Sequence, residues 1–327
     1  MLSRRWAFLP VLAGLAMPAA AQPGCTAPAG PLQAVICADA GLREADRRLR
    51  ALEARHAGLT SRPATARARA QAWQSALEAG REGQALDRAE LLDEYEARMA
   101  ELAEMVRQDR AMRALATEVP EGTPPGLLPR PSMIERRCLG GALSGCRVVA
   151  TGLALSEDGR TRILWQQQRG HTEADGVTGG LVLLAQARGG WRLLGWSFEG
   201  DRFEAPRLIP AEGALLLHAP GRGGRSGARN ADLIYRLGPR GWEEIEHESW
   251  KDSLPAQLPA GLGVWQAVDY DLSAPAAFGR LWRQEDANCC PTGGGAWFDL
   301  RIEGQSLRLA GVTLDTLARL RLGEGGR

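Results

Sequence analysis

Residues 181–198 read LVLLAQARGGWRLLGWSF and decide the fold of the second half of the chain. Two apolar runs of strand length flank the pair Gly189-Gly190, which is typical of a tight β-turn. Residues 233–247, LIYRLGPRGWEEIEH, repeat this pattern around a Gly-Pro-Arg-Gly turn. In each unit a tryptophan follows the turn, Trp191 in the first and Trp242 in the second. The two units predict antiparallel hairpins, and their regular spacing is compatible with the blades of a propeller-like repeat.

Two further hairpins are predicted on either side of this pair. Residues 147–167 contain two alternating runs around Glu157-Asp158-Gly159, and residues 297–309 contain two around Glu303-Gly304-Gln305. We therefore expect residues 132–322 to form a Trp-rich, antiparallel all-β domain. A sandwich, a barrel and a partial-propeller-like array of sheets all fit this pattern.

The first half of the chain has helical periodicity instead. Apolar residues recur at spacings of three and four along three stretches, which places them on one face of a helix. Pro63 suits the first turn of the second stretch, and Asp87 with Glu90 forms a capping box before the third. This pattern predicts an α-helical bundle or hairpin over residues 22–118. The three stretches are Leu42–Leu52, Ala66–Leu77 and Leu92–Val106.

A proline-rich segment separates the two halves. Residues 119–131 contain five prolines and cannot be the interior of a helix. Ala, Arg, Glu and Leu dominate before it, whereas Gly, Trp and short apolar runs follow it. The sequence therefore predicts an α+β protein of two domains joined by a linker.

The first 21 residues predict a cleavable signal peptide. Arg4 and Arg5 precede a short apolar run, and small residues end it at Ala19-Ala20-Ala21. The aliphatic residue of a lipobox is absent before Cys25, since Gln22 stands in its place. We expect a periplasmic or secreted protein without a lipid anchor, and no later segment has the length and apolarity of a membrane span.

Because the protein is expected to be exported, its six cysteines are expected to lie in an oxidising compartment, where disulfides form. Fifteen pairings are possible, and pairing between neighbours in sequence is the simplest of them. The adjacent pair is the open case, because a bond between consecutive cysteines strains the peptide, and these two could bond elsewhere. The candidate disulfide residues are Cys25 with Cys37, Cys138 with Cys146, and Cys289 with Cys290.

The charge and motif content exclude several classes of function. The 40 basic and 39 acidic residues balance, which argues against nucleic acid as a partner. The chain has no phosphate loop, no dinucleotide-binding glycine motif, no zinc-binding helix motif and no nucleophile elbow. We therefore expect no cofactor, no metal and no enzymatic activity. An enzyme whose site is assembled only in space remains an alternative.

Two groups of residues are weak candidates for binding. Arg222, Arg225 and Arg229 lie on a glycine-rich loop and could hold an anion or an acidic partner, although a solvated loop is the simpler interpretation. The tryptophans of the β-domain could stack on sugars such as peptidoglycan glycans, although packing in the core is more usual for them.

The segment from Cys25 to Leu49 contains Cys25, Val35-Ile36-Cys37-Ala38-Asp39, Leu42, Asp46 and Leu49. With these residues it resembles the N-terminal domain of LprI-like lysozyme inhibitors, a family of exported bacterial proteins. Gln71-Ala72-Trp73 and residues 95–102 look like later helices of the family. Leu77 and Gly80 stand where the family has an arginine and a cysteine. The resemblance implies an exported helical module that inhibits a lysozyme-like hydrolase.

A second resemblance lies in the β-domain. Trp282 followed by residues 286–293, DANCCPTG, is similar to the double-cysteine segment of LppP/LprE-type lipoproteins. This resemblance implies a class of exported proteins and a location in the cell envelope, but it implies no catalytic or binding chemistry. Together these observations predict a non-catalytic binding or inhibitory protein of the cell envelope, whose partner is a lysozyme-like hydrolase or another envelope protein. The alternatives are a glycan-binding protein that uses its tryptophans and an enzyme.

Overall fold

The computed structural model describes most of the chain between residues 25 and 315. The described residues are 25, 30–79, 87–117, 127–128, 134–172, 176–211, 213–224, 229–264, 266–287 and 290–315. The predicted signal peptide lies outside them. Within them, no helix is long and apolar enough to cross a membrane.

Four α-helices form the N-terminal part: the three that the periodicity predicts and a further short helix before them. α3 begins at Pro63, and the Oδ1 atom of Asp87 caps α4 by accepting hydrogen bonds from the amides of Ala89 (2.7 Å) and Glu90 (3.1 Å). The apolar faces meet in one core that includes Leu49, and Trp73 packs against it. The helices are α1 (Pro31–Ala38), α2 (Ala40–Leu59), α3 (Pro63–Ala79) and α4 (Arg88–Thr117).

Antiparallel strands form the C-terminal part, and all four predicted hairpins are present. A 3-10 helix, Ser249–Ala256, follows β12. The strands are β1 (Leu127–Leu128), β2 (Ser144–Leu155), β3 (Arg162–Thr172), β4 (Gly176–Ala187), β5 (Gly190–Ser197), β6 (Arg202–Phe203), β7 (Arg207–Ala211), β8 (Ala214–Ala219), β9 (Gly221–Gly223), β10 (Arg229–Asn230), β11 (Leu233–Gly238), β12 (Gly241–Glu244), β13 (Leu262–Val264), β14 (Asp269–Asp271), β15 (Ala276–Arg283), β16 (Gly295–Glu303) and β17 (Ser306–Asp315).

Three larger sheets stack face to face. Sheet I has the order β1-β5-β4-β3-β2, sheet II the order β12-β11-β8-β7, and sheet III the order β13-β15-β16-β17, with β14 also paired to β15. On one face of sheet II, Leu217 shares a core with Leu181 of sheet I. On the other face, Ile234 shares a core with Phe298 of sheet III. Sheet II is therefore buried on both sides, and the stack resembles consecutive blades of an incomplete propeller.

Helix α4 takes part in two cores. Its first half contributes Leu91 and Leu102 to the helical core, whereas Met112 near its end packs with Leu164 and Val182 of sheet I. Its 30 residues span about 45 Å, which is long enough to reach from one core to the other. The end of α4 therefore packs on the outer face of sheet I, together with residues 134–143. The division into separate domains at residues 118 and 132 stays a prediction.

Two residues of the predicted linker form a short strand. Leu127–Leu128, the two described residues of the segment 119–131, pair with Arg192 and Trp191 at the edge of sheet I. The linker thus extends a sheet at these residues.

Two disulfides have the pairing that sequence proximity predicts. Cys25 is bonded to Cys37 before α2, and Cys138 is bonded to Cys146 at the start of β2. Cys290 is disulfide-bonded too, while Cys289 lies outside the described residues. These bonds are compatible with an oxidising compartment.

Candidate functional site

A cleft of about 1,020 Å³ lies where the helices meet the ends of the strands. Helices α3 and α4, with His56 of α2, form one wall. The other wall comes from β3, β4, the segment after β5, strand β10 and the 3-10 helix. Concave sites between structural units are the usual location of ligand-binding sites. This cleft is therefore the candidate functional site.

The floor of the cleft is an ion-pair network between α3 and the sheets. The guanidinium of Arg69 donates to both carboxylate oxygens of Glu248, each at 2.9 Å, and lies 2.7 Å from Oε2 of Glu199. Arg62, at the turn before α3, also pairs with Glu199 and donates to Oγ of Ser197 at 3.3 Å. Two arginines of the helical part thus hold two glutamates of the β part in fixed positions.

The carboxylates of this network are ionised at neutral pH. Burial by itself raises the pKa of Glu248, but the charge and hydrogen bonds of Arg69 outweigh burial and leave this pKa at about 2. Burial likewise raises the pKa of Glu199, yet Arg69 and Arg62 together hold it far below its usual value. The two glutamates and two arginines therefore neutralise one another, and the floor carries little net charge.

Glu244, the last residue of β12, fixes the start of α3. Its Oε2 atom accepts a hydrogen bond from the amide of Ala64 at 2.8 Å, and its Oε1 atom accepts one from the amide of Thr65 at 3.1 Å. The first amides of a helix have no partner within the helix and carry a partial positive charge. The carboxylate of Glu244 supplies both a hydrogen-bond acceptor and a negative charge at this helix start. Since it comes from the central sheet, it sets the position of α3 and so of one wall of the cleft.

A buried polar cluster lies beneath the network. His218 Nε2 lies 2.8 Å from Asp232 Oδ1, and the side-chain nitrogen Nδ2 of Asn230 donates to Asp232 Oδ2 at 2.9 Å. The Oδ1 atom of Asn230 accepts a hydrogen bond at 3.3 Å from Nζ of Lys251, the only lysine of the chain. Burial lowers the pKa of Lys251, and this side chain lines the cleft.

A histidine and an aspartate meet at the wall of the cleft. His56 Nε2 lies 3.5 Å from Asp109 Oδ2, and the indole nitrogen of Trp196 donates to Asp109 Oδ1 at 2.7 Å. Burial raises the pKa of Asp109 to about 6 even though the hydrogen bond from Trp196 lowers it. Burial also lowers the pKa of His56 to about 4. At neutral pH His56 is therefore uncharged and Asp109 is largely ionised, and His56 lines the cleft.

The rim of the cleft carries charges of both signs in contact with solvent. Arg169 on β3 and Arg229 on β10 are exposed, and so are Asp201 after β5 and Asp252 in the 3-10 helix. The rim can therefore meet a ligand that carries both positive and negative groups.

The structure separates the three arginines predicted as weak partner-binding residues. Arg229 lies at the rim of the cleft and is exposed. Arg222 is half-buried, pairs with the exposed Asp269 and donates to the carbonyl of Val268 at 3.0 Å. Arg225 lies outside the described residues.

Sequence reasoning missed the residues of the ion-pair network. Arg62 and Arg69 lie more than 125 positions before the glutamates that they bind, and no local motif marks any of them. A buried charge is unusual, but burial is visible only in the fold. The same holds for the pair formed by His56 and Asp109, whose members sit on different helices.

No group of three or more potential metal ligands occurs among the described residues. No protein-family model matches the chain, and no curated protein is significantly similar to it. The resemblance to LprI-like and LppP/LprE-type proteins thus gains no support from known relatives and stays a prediction.

Proposed function

We propose that the protein is an exported, non-catalytic binding protein of the cell envelope, and that its ligand occupies the cleft between the helices and the sheets. The observation that carries this proposal is the cleft itself, because its floor is held in place by ion pairs while its rim charges remain exposed. A floor that is already ordered loses little entropy when a ligand arrives. The two disulfides fit the exported location.

The charges of the cleft indicate the kind of ligand. Arg169, Arg229 and Lys251 offer cationic groups, while Asp201 and Asp252 offer carboxylates. A purely anionic or purely cationic ligand would meet charges of its own sign. A short peptide that carries both amino and carboxylate groups fits this distribution, and the stem peptides of cell-wall fragments are ligands of this chemistry in the envelope.

Calorimetric titration tests this proposal. The mature protein is titrated with soluble cell-wall fragments from a muramidase digest, and separately with the free peptides released from them. We expect both to bind, and we expect the double variant Arg169→Ala, Arg229→Ala to bind at least tenfold more weakly. Arg162→Ala is the matched control, because Arg162 is an exposed arginine on the same strand as Arg169 but does not line the cleft. Equal affinity for all three proteins would overturn the proposal.

Inhibition of a lysozyme-like hydrolase is the partner-specific form of the proposal, and it rests on the sequence resemblance alone. A lysis assay with the full mature chain tests it. Slower lysis at a stoichiometric excess of the protein supports inhibition. Unchanged lysis removes this partner and leaves the peptide-binding proposal in place.

An enzymatic function is the competing candidate, and the pair formed by His56 and Asp109 favours it. Mass spectrometry of cell-wall fragments after incubation with the protein separates the two. Binding without new products supports the non-catalytic proposal. Products that form with the natural protein and disappear in His56→Gln would contradict it.

A further inference from the structure

The outer face of sheet III carries an exposed pair of aromatic rings. Trp297 on β16 is 46% exposed, and its ring centroid lies 5.0 Å from that of Phe278 on β15. The neighbours of Trp297 in sequence, Ala296 and Phe298, are fully buried on the opposite face, where sheet II covers them. The alternation of a strand therefore places Trp297 on the open face of the last sheet in the stack.

The strand register extends this aromatic pair into a row across the sheet. Asp269 faces Phe278, Phe278 faces Trp297, and Trp297 faces Thr313 on β17. The row crosses four strands, or roughly 15 Å at the usual spacing between strands. We call this row and the adjacent one, which begins at Asp271, the tryptophan platform.

The adjacent row supplies hydrogen-bond acceptors beside the rings. It runs from Asp271 through Ala276 and Asp299 to Gly311. A Cβ atom at Gly311 would lie 3.2 Å from Oδ2 of Asp299, so the glycine lets this carboxylate lie close against β17. Both aspartates are exposed. Carboxylates next to an aromatic face can accept hydrogen bonds from hydroxyl groups of a ligand that stacks on the ring.

Charges of both signs lie on this face, because aspartates occur in both rows and arginines lie beside them. Arg280 on β15 and Arg301 on β16 share the outer face with the two aspartates of the adjacent row, and both arginines are exposed. A cationic ligand would meet the arginines, and a large apolar partner would have to bury all these charges. A ligand that is uncharged, rich in hydroxyl groups and apolar on one ring face meets neither obstacle.

We propose that the tryptophan platform binds an uncharged oligosaccharide, with one sugar ring stacked on Trp297 and its hydroxyl groups donating to Asp299. This site is separate from the cleft, and it does not depend on the function proposed for the cleft. The other tryptophans of the C-terminal part are less exposed or outside the described residues: Trp196 and Trp250 are buried, Trp165, Trp191, Trp242 and Trp282 are half-buried, and Trp265 is not described.

Oligomers of N-acetylglucosamine are a suitable probe, because they are uncharged and carry the sugar type of cell-wall glycans. The titration follows tryptophan fluorescence of the mature protein and is repeated for three variants. We expect Trp297→Ala to weaken binding at least tenfold and Asp299→Asn to weaken it about threefold. Leu155→Ala is the matched control, because it removes an exposed apolar side chain from a different sheet and should leave binding unchanged.

Two results would overturn the proposal. One is the same affinity in Trp297→Ala as in the natural protein, with circular dichroism showing that the variant is folded. The other is no binding of the oligomers at millimolar concentration. Sedimentation of the free protein provides a further check. A dimer that Trp297→Ala dissociates would assign this face to a second copy of the chain and would also overturn the oligosaccharide site.

Discussion

At the scale of single residues, the ion pairs beneath the cleft act more as positioning devices than as sources of stability. Arg69 bridges Glu199 and Glu248, which come from two different segments of the β part. Transfer of such charges from water is costly, and the gain from pairing often only balances this cost. The network instead fixes the position of α3 on the strands. Any shift of the helix would leave a buried charge without its partner.

The buried histidine His247 should make the protein less stable in mild acid. Burial lowers its pKa, although the nearby carboxylates of Glu248, Asp232 and Glu246 raise it. Because the pKa of His247 is lower in the folded protein than in the unfolded chain, His247 binds a proton in the unfolded chain at pH values where it stays neutral in the folded protein. The free energy of unfolding therefore falls as the pH drops below about 6.5. We expect His247→Gln to lose part of this dependence, as measured by urea unfolding at pH 5, 6 and 7.5.

The pair of His56 and Asp109 should contribute little to the same dependence. The pKa of His56 is lowered to about 4, which removes stability as the pH falls from 6.5. The pKa of Asp109 is raised to about 6, which adds stability as the pH falls through the same range. The two effects oppose each other between pH 4 and 6.

A pH profile of His247→Gln that matches the natural protein at every pH would contradict the role given to His247.

At the scale of elements, Glu244 connects the central sheet to the start of α3. We expect Glu244→Ala to lower the free energy of unfolding by about 1–2 kcal/mol, since it removes two charge-assisted hydrogen bonds to a helix N-terminus. Hydrogen exchange at the amides of Ala64 and Thr65 should accelerate.

The adjacent Glu243→Ala serves as the control for this prediction. Glu243 pairs with Arg236 and Arg240 at the hairpin turn, and both arginines are partly or fully exposed. Ion pairs in contact with solvent contribute little to the free energy of unfolding. Equal loss of stability in the two variants, with no change in exchange at α3, would rule out the capping role of Glu244.

Local patterns were sufficient to predict three of the four described helices and four of the hairpins, but not α1, the 3-10 helix or the shortest strands. The spacing of Leu42, Leu49 and Leu52 predicts α2, the capping residue Asp87 predicts the start of α4, and the Gly-Gly turn at 189–190 predicts the β4-β5 hairpin. Each of these signals involves residues that are close in sequence. The capping of α3 by Glu244 joins residues about 180 positions apart, so no periodicity or turn signal can reveal it.

At the scale of the whole molecule, the helices and sheets share their packing. α4 contributes to the helical core through Leu102 and to the core of sheet I through Met112. In the turn before α3, Ser61 exchanges two hydrogen bonds with the backbone of Trp196 in β5. The change of composition near residue 120 predicted two domains, but composition carries no information on which faces pack together. The stack of three sheets was likewise one of several architectures that the hairpins allowed.

This shared packing predicts one cooperative unfolding transition. Far-ultraviolet circular dichroism reports mainly the helices, and tryptophan fluorescence reports mainly the sheets, because most tryptophans lie there. We expect their urea midpoints to coincide. A helical signal that is lost at a clearly different urea concentration would show that residues 22–118 fold as an independent unit.

The central claim is that a ligand enters the cleft between the helices and the sheets, and Lys251 allows the most direct test. It is the only lysine of the chain and it lines the cleft, so an amine-reactive reagent followed by peptide mapping measures access to this one position. The account predicts that saturating cell-wall peptides slow modification of Lys251 at least fivefold while modification of the chain's N-terminal amine is unchanged. Binding of the peptides by calorimetry with no protection of Lys251 would contradict it.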